Sequence, residues 1–127
     1  MSDFYPTTIN RGMILLLPRK PAFDWIVRVD LDQTKLTLDD IRQDCDGLLV
    51  PEGEVQDLEG ARKWVYDNWE MFLEEFLADW HEDEESWPEE RNLKLFKAWF
   101  DLHYSSQVWD FANEPMIHQA DEDEDVE

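Results

Sequence analysis

The sequence predicts an α+β domain: a small mixed sheet of about three strands packed with about four helices, in the order β-α-α-β-α-α-β. Three observations lead there. The 127 residues suit one domain with one hydrophobic core. Two short apolar runs, "GMILLLP" and "GLLVP", each open on glycine and close on proline in the manner of strands. From about Leu58 to Trp80, apolar residues recur at helical rather than alternating spacing.

The first strand is expected over "RGMILLLPRKP", stopped by Pro18, and its unbroken apolar run predicts a central strand buried on both faces. Pro21 suits the first turn of a helix through "AFDWIVRV", with Phe23, Ile26, Val27 and Val29 inward. After the loop "DLDQTK", Thr37 and Asp40 have the spacing of a helix N-cap pair for "LDDIRQD". "GLLVPEG" is the second strand, and the long crossover before it permits parallel pairing with the first. The longest element is one helix from about Leu58 to Trp80, with Asp57 as N-cap. At 100° per residue, Ala61, Val65, Trp69, Phe72, Phe76 and Trp80 form a stripe, flanked by Trp64 and Met71 on one side and by Leu73 and Leu77 on the other. A helix so apolar around its circumference is either packed on two sides within the domain or shares a face with a second copy in a homodimer. Ser86 and Glu89 have capping-box spacing around Pro88 and predict a helix through "RNLKLFKAWFD", with Leu93, Phe96, Trp99 and Phe100 inward. "HYSSQVWDF" is the third strand. The single domain is expected over residues 1–118, and "DEDEDVE" predicts a disordered acidic tail over 119–127.

Charge narrows the function. Eleven Lys and Arg against 32 Asp and Glu give a net charge of −21. A nucleic-acid partner is not expected, because phosphate recognition calls for a basic footprint. No apolar run approaches membrane-spanning length, so no membrane partner is expected either. A single cysteine and the lack of an N-terminal signal-like apolar run predict a cytoplasmic setting. The charge is uneven: residues 1–51 hold eight acids and six bases, whereas residues 64–90 hold eleven acids and no Lys or Arg.

The stretch "ADWHEDEESWPEERN" concentrates the question. A helical zinc site of the H-E-x-x-H type needs a second imidazole four residues after His81, and Glu85 stands there instead. The acidic runs lack the central glycine of a calcium-binding helix-loop-helix. Cys45, between Asp44 and Asp46, is expected to have a raised pKa and to be a poor nucleophile. His103 reads as a packed or edge residue, and His118 lies near the tail. Neither a glycine-rich phosphate loop nor a nucleophile elbow occurs, so no catalytic residue, cofactor or metal is assigned. Trp25, Trp69, Trp80 and Trp99 fall on inward faces, while Trp64, Trp87 and Trp109 are less constrained. Tryptophan beside acids suits an interface anchor, which makes Glu82, Asp83, Glu84, Glu85 and Trp87 the candidate partner-binding residues.

Over about residues 12–111, "RKPAFDWI", "LLVPE", "SWPEER", "FKAWFD" and "SSQVWDF" together resemble a family of small uncharacterised bacterial proteins. The resemblance implies a compact bacterial α+β domain and carries over no catalytic residue. Two functional expectations follow. One is a non-enzymatic acidic protein that binds a basic protein partner, as an inhibitor, immunity-type protein, mimic or adaptor does. The alternative is an enzyme with clustered carboxylates, using a divalent metal through His81 and Glu85.

Overall fold

The computed structural model describes residues 5–30 and 35–119. In chain order the elements are β1 (Thr7–Thr8), β2 (Arg11–Pro18), α1 (Lys20–Val29), α2 (Leu38–Gln43), β3 (Asp46–Pro51), α3 (Leu58–Asp67), α4 (Trp69–Trp80), a 3-10 turn (Glu84–Ser86), α5 (Leu93–Trp99), β4 (Phe100–Ser105) and β5 (Trp109–Asp110). The class is α+β. The main sheet has the order β3-β2-β4, which makes β2 central as its sequence predicts, and β1 pairs separately with β5.

All described pairings are antiparallel. The parallel arrangement that the crossover permits is not adopted: the chain enters β3 beside the end of β2, with Asp46 opposite Leu16, and runs back along it to Pro51 opposite Arg11. At the other edge Phe100 lies opposite Pro18, and the Arg19 N–H donates to the Trp99 carbonyl at 2.7 Å, locking α5 to the β2–α1 corner.

The unbroken apolar run of β2 misleads in one respect. Its residues alternate, with Gly12, Ile14, Leu16 and Pro18 buried and Met13, Leu15 and Leu17 half-buried. The buried set faces the helices and joins one core with Trp25 and Ile26 of α1, Leu73, Phe76 and Leu77 of α4, and Phe96 of α5. The opposite sheet face carries Leu15, Leu49 and His103, none fully buried.

Local capping follows sequence at two helices, α2 and α3. Thr37 and Asp40 form a reciprocal box, with the Asp40 N–H donating to Thr37 Oγ1 at 3.1 Å and the Thr37 N–H to Asp40 Oδ2 at 2.9 Å. Asp57 accepts from the Gly60 N–H at 2.7 Å, as an N-cap should.

Three expectations are corrected. The helix expected over Leu58–Trp80 is two helices divided at Asn68, whose backbone leaves the helical region at φ −119°, ψ 24°. Asp67 and Asn68 bond to nearby backbone more readily than they propagate a helix, and the Asn68 Nδ2–H does donate to the Trp64 carbonyl at 2.8 Å. The Ser86/Glu89 capping box does not form. Ser86 ends the 3-10 turn, and the helix starts later, capped by Asn92, whose Oδ1 accepts from the Leu95 N–H at 2.8 Å. The third strand begins at Phe100, directly after α5, and its expected second half becomes β5. Beyond Gln119, which is exposed, the acidic tail lies outside the described residues. Among the described residues no helix is long and apolar enough to cross a membrane.

Candidate functional site

The acidic stretch leaves the core at the end of α4. His81 closes that helix by donating its backbone N–H to the Leu77 carbonyl at 2.8 Å, and then turns to extended backbone. The chain does not wander from there. Asp83 Oδ1 accepts from the Glu85 N–H at 3.0 Å, and the Asp83 carbonyl accepts from the Ser86 N–H at 2.9 Å, which together close the 3-10 turn.

Two tryptophans tie this turn to the rest of the domain. The indole N–H of Trp25, itself 1% exposed, donates to the Ser86 carbonyl at 2.9 Å. The indole N–H of Trp87 donates back to the His81 carbonyl at 2.8 Å. Tryptophan suits this work because it buries a large apolar body while one donor reaches a carbonyl that burial would otherwise orphan. Arg91 then donates to the Pro88 carbonyl at 2.9 Å and places its guanidinium 5.6 Å from the Trp87 ring centroid.

On this anchored turn Glu82, Asp83, Glu84 and Glu85 are all exposed. The ion pairs among the described residues are Arg19–Asp101, Lys20–Asp24, Arg42–Asp101 and Lys63–Asp67, and none involves these four acids. The structure thus leaves Glu82, Asp83, Glu84 and Glu85 exposed side by side on one short anchored turn. Trp87, chosen with them, is half-buried against the core and acts first as a strut.

The pairing of His81 with Glu85 on one helical face does not arise, since α4 ends before Glu85. The His81 Nδ1 accepts from the Asp83 N–H at 3.3 Å. Among the described residues no group of three or more His, Cys, Asp or Glu side chains is placed to hold a metal ion. His103 points outward from β4, an edge strand, and is exposed.

A second feature has no local signature in the sequence: a cavity of about 230 Å³ between the C-terminal half of α4 and the α2–β3 turn. Phe72, Phe76 and Trp80 line it from α4, Leu16 and Phe100 from the sheet, and Cys45 from the turn. Burial pushes the Cys45 thiol above its ordinary pKa, with Asp46 and Asp44 adding to the effect and its backbone hydrogen bond and Arg42 opposing it. The helical stripe contained the aromatic half of this wall, but nothing local in sequence sets α4 against the α2–β3 turn.

Comparison with known proteins finds no matching family model, no similar curated protein and no similar solved structure, so nothing bears on the bacterial family that the sequence resembles.

Proposed function

We propose that this chain is a non-enzymatic interaction protein whose acidic turn binds a basic protein partner in the cytoplasm. The observation that carries this reading is the combination of order and uncompensated charge at Glu82–Glu85. Four adjacent carboxylates repel one another, and a chain free to relax would separate them. Here the Trp25 and Trp87 indoles hold the turn in place, so the arrangement is kept at a cost in stability. A preorganised cluster of one sign speeds encounter with a partner of the opposite sign and fixes its register.

Comparative capture tests the reading. Immobilised parent and a variant carrying Glu82→Gln, Asp83→Asn, Glu84→Gln and Glu85→Gln are exposed to the native lysate at physiological salt. A basic protein enriched on the parent and depleted at least severalfold on the variant is the expected result. Identical capture by both would remove the acidic turn from any binding surface.

A further inference from the structure

The cavity beside α4 has a composition that a plain packing defect lacks. Its floor is apolar and aromatic, whereas Asp44 and Asp46 stand at one edge and Asp79 at the other, all three exposed. No Lys or Arg lines it. Arg42, close in sequence, holds its guanidinium beside the cavity wall, donating to the carbonyl of the lining residue Pro18 at 3.0 Å, and its charge is taken by Asp101 Oδ2 at 3.2 Å. Asp79 and Trp80, from the last turn of α4, both line this space, and that turn carries no basic residue. Apolar floor and carboxylate rim agree in charge and chemistry: the occupant has an apolar stem and a cationic head.

Size narrows the choice. At about 230 Å³ the space is smaller than the roughly 300–1,000 Å³ typical of small-molecule sites, and suits one anchoring side chain. Arginine fits better than lysine, because a planar guanidinium is weakly hydrated, stacks on aromatic rings and forks to carboxylates. We infer that this cavity is the anchor hole for an arginine side chain of the basic partner, with the acidic turn that follows α4 steering that partner toward it. The inference rests on the basic-partner reading above and names the contact that would hold the complex once formed.

The test needs no identified partner. The ¹⁵N-labelled full chain is titrated at low salt with acetyl-glycyl-arginyl-glycinamide, and separately with the same tripeptide carrying lysine or the neutral isostere citrulline. Saturable shifts are expected at the Trp80 indole and at the Cys45 and Asp46 amides, strongest with arginine and absent with citrulline. Asp44→Asn with Asp46→Asn should weaken that binding about tenfold or more, the loss expected for a charge-assisted hydrogen bond, while the variant keeps the parent's melting temperature. The variant neutralised at Glu82–Glu85 should keep the shifts at Trp80. Shifts confined to residues 82–85, or equal responses to arginine and citrulline, overturn the anchor hole and leave the acidic-turn reading standing. An equal response to lysine overturns the guanidinium assignment. A seated arginine tripeptide combined with identical lysate capture by parent and turn-neutralised chain does the reverse, sparing the cavity and sinking the acidic turn.

Discussion

Two indole N–H groups decide how rigidly the acidic turn is held, and each can be removed singly. Trp87→Phe keeps most of the apolar body but leaves the His81 carbonyl without its donor, a loss of about 1–2 kcal/mol. Amide exchange over Asp83–Trp87 should accelerate while the sheet stays protected; unchanged exchange would show that the turn holds itself. Gly12 sets a different constraint, because a Cβ there would meet Tyr104 Cε1 at 3.0 Å and its hydroxyl at 3.3 Å. That hydroxyl donates to the Val55 carbonyl at 3.1 Å. Gly12→Ala should therefore cost about 1–3 kcal/mol in thermal or chemical unfolding, despite the better strand propensity of alanine. At Cys45 the folded chain holds its proton to a higher pH than the unfolded chain does. Stability from this group is present below the ordinary thiol pKa and falls as pH rises through the folded value. Alkylation should accordingly be slower in the native protein than in urea near neutral pH. Equal rates would place the thiol in plain solvent. Sequence showed Trp25 as core, but its acceptor at Ser86 lies 61 residues away and no local pattern reveals such a bond.

Among the elements, the division at Asn68 teaches most. A hydrophobic stripe drawn at 100° per residue continues without interruption through "YDNWE", since periodicity records which residues are apolar and not whether the backbone stays helical. The break changes which residues lie deepest. In α4 these are Leu73, Phe76 and Leu77, whereas Trp69, Phe72 and Trp80 are half-buried along the margins. The expected circumference of apolar side chains is largely used within the domain, and the large apolar residue that α4 leaves exposed is Met71. Phe76, 8% exposed and 5.0 Å edge-on from Phe100, should cost roughly 3–5 kcal/mol on truncation to alanine. Phe72→Ala should cost clearly less, because part of its ring already meets solvent. Denaturation midpoints of the two variants check the order, and equal losses would show that Phe72 lies as deep in the core as Phe76. The capping signals divide in the same physical way. Thr37/Asp40 and Asp57 act as read because their partners are three residues away. Ser86/Glu89 fails because the Ser86 carbonyl is taken by Trp25 and its segment by the 3-10 turn.

At the level of the whole molecule, charge asymmetry and fold class were both legible in the sequence, for they are sums over many residues. Sheet pairing and the cavity were not, since each depends on contacts between elements far apart in the chain, β2 with β4 and α4 with the α2–β3 turn. A net charge of −21 opposes compaction through self-repulsion, most at low salt. The variant neutralised at Glu82–Glu85 should thus be at least as stable as the parent, with the difference shrinking as salt is added. That outcome separates folding from recognition, because the same change should weaken binding. The most direct measurement is the association rate of the captured basic partner with parent and neutralised variant, from about 10 mM to physiological ionic strength, over which the Debye length falls from about 30 Å to about 8 Å. An ordered acidic recognition surface requires a fast parent rate that drops steeply with salt, and a variant rate severalfold slower with a flatter slope. Superimposable rates and slopes for the two proteins would contradict it.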